Sequence, residues 1–241
     1  MITEWWIISC ALVVLTSTLH LPDYIRPCKR NDPNLNDCAK HSAIAALSSI
    51  IAGDKKYKNS PLSPYKVSLI DIDGGPNLKI QFSDLVVIGF KTLKISDLTI
   101  DLKNNKAYIQ LAGPMNFQGV YDIKGQILVL PINGHGGANI TFVDGAYDVD
   151  VSWSIVDKNN VEYVKVDTIK VKLNLKKVLI HLDKLFNGDK NLGDSMNQLL
   201  NENWQDVMKE ISPGAGKAIA EVLGSVFKNY VEYVPLNEIF V

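Results

Sequence analysis

The sequence predicts an α+β fold in which a long C-terminal helix is wrapped by a strongly curved antiparallel β-sheet. Three observations predict it. From Lys66 to Leu182 apolar and polar residues alternate with only turn residues interrupting, the two-residue period of strands with one dry face. Several of these runs pass about ten residues where about five or six is usual, and long strands in one sheet accumulate twist and coil. From Leu192 to Phe227 the apolar spacing changes to three and four, which marks a helix for the sheet to curl around.

Residues 1 to 18 read apart from everything after them. Met1 to Trp6 lead into the apolar run Trp5 to Leu15, followed by Thr16, Ser17 and Thr18, the layout of a secretory signal peptide cleaved near Ser17 or Thr18. The run is shorter than the ~20 residues of a spanning helix, and no later stretch is apolar enough to span. The expectation is a secreted, extracellular protein without stable membrane insertion, with residues 19 to 241 as one monomeric domain. Of three cysteines, Cys10 leaves with the signal, and the remaining pair, Cys28 and Cys38, reads as a disulfide in an exported chain. Asn139-Ile140-Thr141 is an N-glycosylation sequon and marks Asn139 as an exposed site.

Asp32-Pro33 offers a cap with proline at the first helical position, and Leu35, Ala39, Ala46, Leu47, Ile50 and Ile51 recur at helical spacing until Gly53, which predicts a helix over 33–52. A polar linker with Pro61 and Pro64 follows. In the strand region Met115, Phe117, Tyr121 and Ile123 share one face, and Tyr147, Val149, Val151, Trp153 and Ile155 share another dry row. Asp157-Lys158-Asn159-Asn160 turns the chain into a strand carrying Val171, Leu173 and Leu175. The pattern reads as an antiparallel meander with one wet face. The terminal helix is expected to break or kink at Pro213, with Asp194 as its cap.

Lys plus Arg total 25 against 26 Asp plus Glu, spread along the chain. Without a clustered cationic footprint, nucleic acid is not an expected partner. His20, His41, His135 and His181 lack metal-site spacing, and no phosphate-binding glycine loop occurs, so no metal and no cofactor are indicated. His135-Gly136-Gly137 and Gly193-Asp194-Ser195 have the flavour of serine-hydrolase loops, but no Gly-x-Ser-x-Gly elbow accompanies them. The glycines at 134, 136 and 137 read as a turn between strands. Asp71-Ile72-Asp73-Gly74-Gly75 lacks the closing Glu of a calcium loop and reads as a turn. The expectation is a binding protein and not an enzyme.

Three blocks carry a family resemblance: Leu21-Pro22-Asp23-Tyr24-Ile25-Arg26-Pro27-Cys28-Lys29-Arg30 running on through Asp32-Pro33-Asn34-Leu35-Asn36-Asp37-Cys38; Leu130-Pro131-Ile132-Asn133-Gly134-His135-Gly136-Gly137-Ala138-Asn139-Ile140-Thr141; and Val234-Pro235-Leu236-Asn237-Glu238-Ile239-Phe240. In this order they resemble the takeout and juvenile hormone binding proteins of insect haemolymph and chemosensory organs. The resemblance implies a tubular lipid-binding fold with an internal hydrophobic tunnel for a terpenoid, fatty acyl chain or other lipid. The hormone carriers have a second disulfide, whereas no cysteine follows Cys38 here, which points to the takeout-like branch.

The candidate lining is the dry face: Phe82, Met115, Phe117, Tyr121, Phe142, Tyr147, Val149, Val151, Trp153 and Leu173, with Trp204 and Met208 from the helix. Tyr and Trp carry polar handles for a ligand head group. Two rival readings are a membrane-surface or receptor partner, whose apolar stripes dock outward, and a secreted ester hydrolase built on His135 and Ser195.

Overall fold

The computed structural model describes residues 19–241, and the expected signal peptide lies outside them. Helix α1 (Leu35–Ala52) opens the fold. It starts two residues later than the proline signal implies, because the Asp32 carboxylate accepts the Asn34 N–H at 2.8 Å and forms a local turn that leaves Pro33 outside the helix. The Cys28–Cys38 disulfide is present and ties the incoming chain to α1. Cys28 also pairs with the far terminus, its N–H donating to Ile239 and its carbonyl accepting from Val241.

Seven antiparallel strands make one sheet: β1 (Tyr65–Asp73), β2 (Leu78–Ile88), β3 (Lys94–Asp101), β4 (Lys106–Ala112), β5 (Met115–Ile127), β6 (Leu130–Lys158) and β7 (Val161–Leu182). The order β1-β2-β5-β6-β4-β3, with β7 on the other edge of β6, is not a plain meander. Strand β6 has 29 residues, and β5 and β4 lie end to end along it, separated only by Gly113 and Pro114. Opposite that gap, β6 slips register with β7 between Phe142, Asp144 and Gly145, and the Gly113 N–H donates to the Gly145 carbonyl at 3.0 Å. Irregularities aligned across neighbouring strands crease a sheet. The length of β6 is therefore accommodated by folding.

A second irregularity lies in β1 and β2. Tyr65 and Val67 face inward, then Ile70 and Ile72 do, so Leu69 is left 57% exposed. Its partner strand shifts phase at the same level, from Ile80 and Phe82 to Leu85 and Val87, around a bulge at Asp84 with φ 49°. Gly119 of β5 accommodates the bulge, since a Cβ there would stand 2.9 Å from the Ser83 carbonyl oxygen. The turn expected at 157–160 is a tight one, with Asn159 and Asn160 at positive φ as a two-residue hairpin requires. The Asp71 to Gly75 segment turns only after Asp73, which ends β1. Gly134, Gly136 and Gly137, expected to form a turn, lie inside β6. Their lack of side chains admits a neighbour: a Cβ on Gly136 would fall 2.3 Å from the Asp183 carbonyl oxygen.

The C-terminal part comprises α2 (Lys190–Glu202), α3 (Trp204–Val231) and the short α4 (Leu236–Ile239). Asp189, not Asp194, caps α2 by accepting the Leu192 N–H, while Asp194 pairs with Lys190 at 2.5 Å on the helix surface. The break falls at Asn203, whose side-chain amide donates to the Leu199 carbonyl. Helix α3 runs on through Pro213. Proline is tolerated on the exposed side of the helix, where Lys209, whose carbonyl it leaves unpaired, is exposed as well. The next turn explains why α3 lies where it does. A Cβ on Gly214 would stand 2.1 Å from the Asp73 carbonyl oxygen, and one on Gly216 would stand 2.4 Å from that of Val171. Helix α3 thus presses its backbone against β1 on one side and β7 on the other, and it closes the seam between the two ends of the curved sheet.

Candidate functional site

Closing the seam leaves a cavity of about 180 Å³ between α3 and the sheet. A single water needs only ~10–15 Å³ of such space, so the volume suits a ligand much larger than water. Its walls come from the inward faces of β1, β2 and β5, Phe90 and Leu93, Leu111 of β4, β6 from Ile132 to Tyr147, the end of β7, Leu200 of α2, and α3. Each surface follows from its own periodicity: alternate residues on strands, and on α3 Met208, Ile211, Ala215, Ile219 and Val222 at three- and four-residue spacing.

Of the residues proposed from sequence, Phe82, Met115, Phe117, Tyr121, Phe142, Tyr147 and Met208 stand on these walls. Phe117 and Phe142 pack ring to ring, with centroids 4.8 Å apart. Leu173 and Trp204 pack on the surrounding core without lining the cavity. Val149, Val151 and Trp153 lie elsewhere, in a second core with Val164, Val166 and Leu236. The two-residue period shifts phase at the crease and then runs unbroken through Tyr147, Val149 and Val151, so alternation by itself does not distinguish open interior from filled interior. Sequence reasoning missed the β1 wall of Tyr65, Val67, Ile70 and Ile72, whose signal is broken by the phase shift at Leu69. It also left out Ile211, Ile219 and Val222, although their helical stripe was visible.

The polar groups of the wall are phenols, and two of them are already engaged. The Tyr121 hydroxyl donates to the Asp183 carbonyl at 2.6 Å and the Tyr147 hydroxyl to the Gly113 carbonyl at 3.2 Å. Burial disfavours both phenolates, pushing Tyr121 up to about 12 and raising Tyr147 as well. Among the described residues no buried side-chain nitrogen or oxygen lacks a hydrogen-bond partner. The interior therefore offers a guest apolar contact and shape, with no free charge to neutralise.

Among the described residues no catalytic set faces this space. His135 is on the outer face, 3.6 Å from the Asp122 carboxylate across the β5–β6 pair, and Ser195 is exposed on α2. Among the described residues there is no group of three or more His, Cys, Asp or Glu placed to hold a metal, and no helix long and apolar enough to cross a membrane. Asn139 is exposed on β6, its side-chain oxygen accepting from Asn116 at 2.7 Å.

Comparison with known proteins agrees with this geometry. The chain is similar to the circadian clock-controlled protein daywake of Drosophila melanogaster, 24% identical over 91% of this chain and 88% of that protein. It is 21% identical to the Drosophila yakuba daywake over the same shares. The crystal structure of Epiphyas postvittana Takeout 1 superposes with a TM-score of 0.79 at 25% identity, over 89% of this chain and 98% of that one. The family model described as haemolymph juvenile hormone binding protein matches residues 7–241. The chain belongs to that family, the takeout and juvenile hormone binding proteins, which are binding proteins and not enzymes.

Proposed function

We propose that the protein is a secreted extracellular carrier that holds one small, elongated hydrophobic molecule, a terpenoid or fatty acyl lipid, in the cavity between α3 and the curved sheet. The single observation behind this reading is an interior space of about 180 Å³ walled by carbon, with the Tyr121 and Tyr147 hydroxyls turned to backbone carbonyls. Each methylene moved from water into such a space contributes ~0.8 kcal/mol. A chain of about ten or more carbons then offsets a substantial part of the ~4–15 kcal/mol cost of association. The seven wall residues named from sequence are proposed to contact the ligand; Val149, Val151 and Trp153 are not.

The same reading holds that residues 1 to 18 are removed as a signal peptide and that Asn139 carries a glycan. Expression in insect cells tests all three parts. The protein is expected in the medium with its N-terminus near residue 19, and Asn139→Gln is expected to lower its mass by one glycan. Native mass spectrometry is expected to show a bound lipid or, after delipidation, uptake of a fluorescent fatty-acid analogue with one-to-one stoichiometry. A properly folded protein that is empty and takes up no such probe would remove the carrier reading.

A further inference from the structure

The cavity and the second core share one wall, and the wall lies at a definite level of the fold. On the dry face of the sheet, side chains stand in cross-strand rows. Leu111 of β4 pairs with Tyr147 of β6, which pairs with Leu173 of β7; the next inward-facing row is Ile109, Val149 and Val171. Leu111 and Tyr147 line the cavity, and Leu173 packs on the core around it. All three residues of the next row belong to the second core.

Helix α3 changes over at the same level. Val222 and Leu223 line the cavity. Leu223 is the residue of α3 that packs against both cores among the described residues, and Phe227, one turn on, lies in the second core. Behind this level the interior is filled: Val149, Val151, Val164 and Val166 are buried against one another and against Leu236 of α4. The helix cannot lift away there without losing contact, since a Cβ on Gly224 would already touch Ile169, at 3.4 Å. Tyr147 is fixed in turn by its hydrogen bond to Gly113. From Met208 to Leu223 the helix rises about 22 Å at ~1.5 Å per residue, which sets the length of the open part.

We propose that Leu223, backed by Tyr147 and Leu111, is the inner stop of the cavity and sets the longest apolar chain the protein accepts. The proposal rests on the carrier reading above and adds to it a length limit with a named determinant. A guest enlarges its buried surface with each added methylene only until its end meets this wall. Further carbons must then stay outside in water or force the second core apart.

The test is a homologous series of saturated fatty acids, from octanoic to docosanoic acid, displacing cis-parinaric acid from the delipidated full chain. For the wild type, affinity is expected to rise about fourfold per methylene, the equivalent of about 0.8 kcal/mol, and then to stop rising at one chain length. Leu223→Ala opens about three carbons of space, so its break is expected about two or three carbons further along the series. Phe227→Ala creates space behind the stop and is expected to leave the break in place. Leu223→Val, which removes one carbon and little packing, is expected to move the break in the same direction by a smaller step and serves if the alanine variant does not fold. A wild-type series without a break, a break unmoved in the folded Leu223 variants, or a break moved equally by Phe227→Ala would each overturn the proposal. If the wild type binds no member of the series, it is the carrier reading that falls.

Discussion

At Tyr121 the phenol ring is only 1% exposed, yet its hydroxyl keeps a partner in the Asp183 carbonyl. Gly134 makes this possible, because a Cβ there would stand 2.6 Å from the Tyr121 hydroxyl oxygen. Burial holds the proton on this phenol to about pH 12, whereas an unfolded tyrosine loses it near 10. Over that window the folded state binds more protons than the unfolded one, so stability falls as pH rises through it. The contribution is whole below about pH 10 and gone above about 12. Tyr121→Phe is expected to cost about 1–2 kcal/mol at neutral pH through the lost hydrogen bond, and to flatten the alkaline part of the stability profile. Urea unfolding at a series of pH values, read alongside phenolate absorbance, measures both; an unchanged alkaline slope contradicts the assignment. The same kind of local contact explains two residues whose roles differ from the sequence expectation. Asp32 bonds to Asn34 before α1 begins, and Asp194 pairs with Lys190 while Asp189 caps α2.

Elements meet where glycines let backbones touch. In an exposed helix interior, replacing glycine with alanine gains ~1 kcal/mol. At Gly214 the sign is expected to reverse, because the new methyl would meet the backbone of Asp73, which cannot turn aside as a side chain could. Gly214→Ala is expected to destabilise by about 1–3 kcal/mol, a cost typical of overpacking, and to weaken lipid uptake by parting α3 from β1. Denaturant midpoints and probe binding on the same sample check the two effects together. A stabilised variant would show that the helix does not bear on the seam. Replacing Pro213 with alanine is expected to stabilise the folded chain modestly, since the helix already passes through that position and gains back its hydrogen bond. A loss of stability in thermal melts would place a hinge there after all.

Across the whole molecule, the two ends of the chain are fastened together. Cys28 is bonded to Cys38 and hydrogen-bonds residues 239 and 241, while the Leu21 N–H and His20 ring both reach the Glu238 carboxylate, at 2.9 and 2.8 Å. These groups lie away from the cavity wall. The paired substitution of Cys28 and Cys38 by serine is expected to cost about 2–3 kcal/mol, lowering the melting temperature by about 5–10 °C, while lipid binding at room temperature persists. Bound lipid is expected to raise the melting temperature in proportion to the logarithm of its concentration. A melting temperature indifferent to both changes would contradict the fold-level account.

Local periodicity determined much of this protein without reference to tertiary contacts. The two-residue alternation from Lys66 to Leu182 and the helical stripe after Leu192 depend on which face of each element is dry, and that is a property of neighbouring residues. The tight Asn159-Asn160 turn and the pairing of the two remaining cysteines were legible for similarly local reasons. Tertiary structure decided where the elements bend and where the interior stays open. The crease at Gly113 and Gly145 and the phase shift at Leu69 arise from register between strands distant in sequence. Tyr147 and Val149 are both buried and share one face of one strand, yet the first borders the cavity and the second is packed solid. The difference lies in what stands opposite each, Leu111 and the open part of α3 for one, Ile109 and the second core for the other. No alternation of residues along a single strand records that.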